Sequence, residues 1–141
     1  QGPFTPGRVS APVSQIDLLP TLLDAMGQDV PTDLPGVSWI PDLVAGHDPQ
    51  RDVFVEWTSP AVAGAWHEEQ LPHDEPVRTV ITPEGWKLNR RRHDVNELFN
   101  LRSDPNELDN LSDRDGYREQ EAELARRIDD WKRRTDDGIE G

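Results

Sequence analysis

Four short runs in the middle of the chain, residues 53–56, 77–82, 86–89 and 97–101, carry the alternating or concentrated apolar residues of half-buried strands. Pro83, Glu84 and Gly85 supply a turn between the second and third runs, and residues 90–94 a turn between the third and fourth. Turns this short join antiparallel neighbours, so the pattern predicts a four-stranded antiparallel sheet with one face in need of a cover. A last helix over residues 117–134, capped within residues 112–115, is predicted to provide it. Tyr117, Leu124, Ile128 and Trp131 fall close to one side of that helix, with Trp131 as anchor, and the other side alternates charge, including Glu123 and Arg127 four apart.

Ahead of the sheet the pattern changes. Pro3, Pro6, Gly7 and Pro12 make residues 1–13 an extended arm. A helix then starts at Ser14 or Asp17, tolerates Pro20 only because it falls in the first turn, and ends at Gly27. Leu18, Leu19, Leu22, Leu23 and Met26 give it an apolar face broad for so short a helix, to be buried, left exposed or covered by a partner chain. Residues 28–50 read as a Pro- and Gly-punctuated loop with one helical stretch near residues 41–45. The expected fold is α+β, with residues 1–50 as arm, helix and loop and residues 51–141 as a compact subdomain.

One device stands out, the stretch ELFNLRSDPNELDNL over residues 97–111. After the strand, Asp104 can cap a single helical turn, Pro105 suits its first position, Glu107 can reach back to the cap, and Asn110 can stop it in the left-handed conformation. Leu111 then folds back onto apolar surface.

This device resembles the carboxy-terminal end of the sulfatase family, where a strand of the type ELYDL runs into DPxExxNL and a final helix. Asp104, Pro105, Glu107, Asn110 and Leu111 match, while Phe99 and Asn100 replace the more usual Tyr and Asp. Residues 16–23 with Gly27 resemble the family's DxxPTLL helix. Gly36, Ser38, Pro41, Leu43 and Gly46 resemble the GxSxxPxLxG segment after it, and Arg51 to Glu56, Val77 to Thr79 and Trp86 to Leu88 the strands between. The resemblance implies an enzyme of the alkaline-phosphatase superfamily that cleaves a sulfate ester through formylglycine beside a calcium-type divalent metal.

Those catalytic groups belong upstream of the matched segment. The chain has no cysteine, no Ser-x-Pro-x-Arg sequence and no initiating Met, so it reads as a carboxy-terminal piece, inactive alone, with no catalytic, cofactor-binding or metal-binding residue of its own. Its expected partner is the missing amino-terminal sulfatase domain, or a second copy, met through the Leu18, Leu22 and Met26 face. A phosphodiesterase or phosphonate hydrolase of the same superfamily, and a noncatalytic interaction domain, are the alternatives.

Charge narrows the picture. With 28 acidic against 15 basic residues the formal net charge is -13, which disfavours nucleic acid and anionic membranes by repulsion. Neither a twenty-residue apolar run nor a signal peptide is visible, and the cysteine-free composition fits a cytoplasmic setting. Lys87 and Lys132 are the only lysines; Arg supplies the remaining positive charge, and the acidic surface predicts folding that strengthens with salt.

Three constellations invite a chemical reading. His67, Glu68, Glu69, His73 and Asp74 gather potential metal ligands without diagnostic spacing, and are expected as a solvated loop. By family resemblance this insert reaches over an active-site mouth, making Trp57, Trp66 and His67 candidates for a substrate rim. Arg90, Arg91, Arg92 and His93 could hold a sulfate or phosphate group or stand as a solvated turn, and Arg78 is expected to pair with a buried carboxylate.

Overall fold

The computed structural model describes residues 7–58 and 75–138, which fall into two compact units, Gln1–Val53 and Phe54–Gly141. In the first, a single 3-10 turn at Gln15–Asp17 leads directly into α1 (Leu18–Ala25), and a second short helix, α2 (Ile40–Ala45), follows. Gly46, with φ at 81°, ends α2 in the left-handed conformation. The Asp48 carboxylate accepts hydrogen bonds from the Ser10 and Ala11 N–H groups at 2.9 and 3.1 Å, which fixes the end of the extended arm.

The second unit is the predicted sheet and helix. Strands β1 (Val53–Trp57), β2 (Val77–Ile81), β3 (Trp86–Arg90) and β4 (Glu97–Asn100) stand side by side in chain order. Antiparallel registers pair Val80 with Leu88 and Leu88 with Leu98, so one apolar residue from each of three strands lines up in a row across one face. Helix α3 (Arg118–Thr135) lays Leu124 and Ile128, one turn apart, onto that row. All five side chains are fully buried, and each contributes roughly 1.5–3 kcal/mol at the upper end. Phe54 stacks on Trp131 with ring centroids 5.1 Å apart, and Trp86 meets Tyr117 at 6.1 Å. Trp131 thus anchors the helix to β1 at the margin of the core.

Two local expectations fail, each because a side chain finds a better partner than the helix end offered. Residues 104–110 form a tight turn and not a helical one: the Glu107 N–H donates to the Asp104 carbonyl at 3.2 Å, and the Asp104 carboxylate accepts the Asp109 N–H at 2.9 Å. Glu107 takes the positive φ, 55°, and its carboxylate goes to Lys87 Nζ at 2.7 Å instead of back to residue 104. Asn110 does not stop a helix. Its Oδ1 accepts the Leu98 N–H at 3.0 Å and its Nδ2 donates to the Asn96 carbonyl at 3.0 Å, while the Leu111 N–H donates to the Leu98 carbonyl at 2.9 Å. The side-chain amide therefore pairs with β4 as a further strand would, and satisfies part of an edge that is otherwise a template for aggregation.

At the start of α3 the expected cap is reversed. No side chain from residues 112–115 caps the helix, whose N-cap position is Tyr117. Instead Glu121, in the first turn, accepts hydrogen bonds from Ser112 Oγ, the Asp113 N–H and Asn96 Nδ2 at 3.0, 3.1 and 3.0 Å. A carboxylate near the positive end of a helix is favoured electrostatically, and here it also ties the β3–β4 connection to the helix.

Candidate functional site

In the first unit the segments of α1 and α2 are one hydrogen-bonded object. Asp17, expected as a helix starter, caps nothing: its carboxylate accepts the Val37 N–H at 2.8 Å and the Trp39 indole N–H at 3.1 Å. Thr21 Oγ1 donates to the Asp17 carbonyl at 2.6 Å and accepts the Trp39 N–H at 3.0 Å. Ser38 Oγ donates to Asp24 at 2.6 Å and accepts the Ile40 N–H at 3.1 Å, which satisfies the first N–H of α2 from the residue ahead of its N-cap, Trp39. Such close approach requires Gly36, where a Cβ would lie 2.0 Å from the Ile16 carbonyl oxygen.

This network holds α1 with its apolar side outward. Leu18, Leu19, Leu22 and Met26 are 50%, 52%, 50% and 64% exposed, and Ile16 beside them 55%. An isolated exposed leucine is ordinary; five large apolar residues on about three turns form the kind of patch that marks an interface.

Arg78 in β2 finds the predicted carboxylate at the far end of the chain. The side chain is fully buried, and its Nε and Nη2 donate to Asp137 at 2.5 and 3.0 Å, with Nη1 donating to the Trp57 and Val77 carbonyls. The paired Asp137, joined by the charge of Glu56, holds the guanidinium above its ordinary pKa despite burial. The chain reaches this position because Asp136, with φ at 54°, ends α3 in a left-handed cap.

The basic run is committed to the protein's own acids. Arg90 donates to Asp129 at 2.5 Å and Arg91 to Glu97 at 3.3 Å. The backbone N–H groups of Arg92, His93 and Asp94 all point at the Glu75 carboxylate. Sequence reasoning missed Glu75 and the roles of Asp17 and Asn110, and only strand register could have found the first of these.

Of the rim candidates, Trp57 ends β1 and is 58% exposed; Trp66 and His67 lie outside the described residues, as do Glu68, Glu69, His73 and Asp74. Among the described residues no group of three or more His, Asp or Glu side chains could hold a metal ion, so these residues do not fit a sulfatase metal site. Nor is any helix among them long and apolar enough to cross a membrane.

The described residues thus comprise a four-stranded antiparallel sheet packed by a carboxy-terminal helix and, in a separate unit, an arm and a helix with an exposed apolar side. Residues 4–134 match the family model described as N-sulphoglucosamine sulphohydrolase, C-terminal. The chain belongs to that family and is the carboxy-terminal part of a sulfatase. It is 31% identical over 122 residues to a Delta 4,5-hexuronate-2-O-sulfatase of Bacteroides thetaiotaomicron, covering 86% of this chain and 24% of that protein. Against an uncharacterized sulfatase, YidJ, of Escherichia coli it is 34% identical over 111 residues, covering 75% and 19%. The solved structure of a 2-O GAG sulfatase superposes with a TM-score of 0.66 at 31% identity, covering 86% of this chain and 25% of the other. The chain thus spans about a quarter of the length of the relatives it matches.

Proposed function

We propose that this chain completes a sulfatase that hydrolyses a sulfate ester on a carbohydrate, and that it does so by docking the exposed side of α1 onto the upstream catalytic domain. The observation that carries the reading is the uncovered Ile16, Leu18, Leu19, Leu22 and Met26 surface in a segment whose relatives are some four times longer. Burying that much apolar area against a partner is favourable because it removes the surface from water. The carbohydrate substrate class rests on the relatives' names, which specify hexuronate and N-acetylglucosamine sulfates.

Formylglycine and a calcium-type metal are assigned to the upstream domain, and no step of the chemistry runs through the described residues. Trp57, exposed at the end of β1, supports a contribution to the substrate rim, because an aromatic face suits the apolar face of a sugar ring. Trp66 and His67 are assigned to the same rim from sequence alone. The cysteine-free, acidic composition supports a cytoplasmic setting.

Mixing or co-expressing the chain with the upstream domain tests the proposal. A stable one-to-one complex that hydrolyses an aryl sulfate, with neither part active alone, is the expected result, and Leu22→Glu should abolish complex formation. Self-association of the chain through the same surface, without binding to the upstream domain, would overturn it.

A further inference from the structure

The β3–β4 turn contains an anion-binding site that the protein itself fills. Three consecutive main-chain N–H groups, those of Arg92, His93 and Asp94, donate to the Glu75 carboxylate at 3.1, 2.7 and 3.2 Å, the first two to Oε2 and the third to Oε1. Converging backbone N–H groups of this kind form a concavity that takes an anion without any cationic side chain. Glu75 is only 8% exposed, so its charge is compensated by these donors and not by water. Its position follows from the sheet: β2 and β3 pair Arg78 with Arg90, and continuing that register three residues brings Glu75 level with His93.

The turn is held in shape by contacts that do not involve Glu75. Asn96 Oδ1 accepts the Arg91 N–H at 3.0 Å, and Asp94 Oδ1 accepts the Val95 N–H at 2.8 Å. Arg90 is paired with Asp129, Arg91 with Glu97, and Asn96 Nδ2 with Glu121. Four partners outside the concavity, Asn96, Glu97, Glu121 and Asp129, thus fix the strand ends on both sides of it. We infer that residues 92–94 are a preformed site for a small carboxylate, and that Glu75 is its built-in ligand, plugging the site and tying the start of β2 to the β3–β4 turn.

The inference stands apart from the sulfatase reading and is tested on the 141-residue chain. In Glu75→Ala, titration with sodium formate should move the amide resonances of Arg92, His93 and Asp94 together and saturably, and should raise the melting temperature. Wild type, its site already plugged, should need formate concentrations higher by at least about tenfold for the same response. Sodium chloride at equal ionic strength sets the screening baseline of this -13 chain: it should produce no saturable response at the three amides, and formate should raise the melting temperature beyond the rise chloride gives. If Glu75→Ala is unfolded in formate-free buffer, formate should restore its dispersed spectrum at ionic strengths where chloride does not. Absence of a saturable response at those three amides, an equal response in wild type, or failure of formate to restore an unfolded variant would each overturn the inference.

Discussion

Arg78 and Asp137, 59 residues apart, form a buried two-pronged ion pair that joins the second strand of the sheet to the residue just past the final helix. The guanidinium is fully buried and the carboxylate nearly so. A pair of this kind contributes little net stability when compared with well-packed apolar residues, yet breaking one side of it is expensive.

Asp137→Ala leaves a buried guanidinium without its counter-charge and is expected to cost about 3–5 kcal/mol. The combined replacement Arg78→Met with Asp137→Leu should recover most of that loss. Urea denaturation followed by tryptophan fluorescence measures both; equal destabilisation in the single and double variants would contradict the assignment.

Acid should weaken the junction between the β3–β4 connection and α3 through Glu121. Burial raises the pKa of this carboxyl, but hydrogen bonds from Asn96, the Asp113 N–H and Ser112 together outweigh it and leave the folded value below the ordinary 4.5. A lowered folded pKa means stability that is fully present above about 4.5 and is lost as pH falls through the folded value. Glu84, Asp104 and Glu123 are shifted the same way and add to this acid limb. Glu121→Gln should flatten the fall in urea midpoint between about pH 5 and pH 3 while lowering stability at neutral pH.

Asn110 offers a choice between two readings of the same residue. If it ended a helical turn in the left-handed conformation, Asn110→Gly would be neutral or better. Because it pairs with the backbone of β4, Asn110→Gly should instead strand the Leu98 N–H and the Asn96 carbonyl and cost about 1–3 kcal/mol. Thermal denaturation gives the sign, and amide exchange at Leu98 should accelerate.

Gly36→Ala should break the first unit while sparing the second. The added methyl would sit 2.0 Å from the Ile16 carbonyl oxygen and 3.0 Å from the Asp17 Cα, both backbone atoms. Gly27→Ala is the control: its φ of +68° costs about 1–2 kcal/mol, but nothing lies within 4 Å of the new methyl. The indole N–H of Trp39, bonded to Asp17, reports the difference by its proton chemical shift.

The strands were legible to within a residue or two because their signal is local. Leu88 stands between polar Lys87 and Asn89, Val80 and Leu98 lie in short apolar-rich runs with Ile81 and Phe99, and Pro83 to Gly85 and the 90–94 region punctuate them. Helix α3 was equally clear from Leu124 and Ile128. The caps were misread for a consistent reason: Glu107, Asp17 and Asn110 all carry the residue types that helix ends prefer, and local patterns assign such residues locally. Each had a longer-range partner in Lys87, Trp39 and Leu98.

The sequence by itself determined the family and the strand and helix inventory, since those depend on which residues are present and in what order. It also pointed to a carboxylate partner for Arg78, because an arginine in a half-buried strand is costly to bury unpaired. Which carboxylate, which acid fills the turn at residues 92–94, and which side of α1 faces outward were decided only by the tertiary structure. Those answers depend on strand register and on contacts across 17 to 59 residues of chain, separations at which residue spacing carries no directional information.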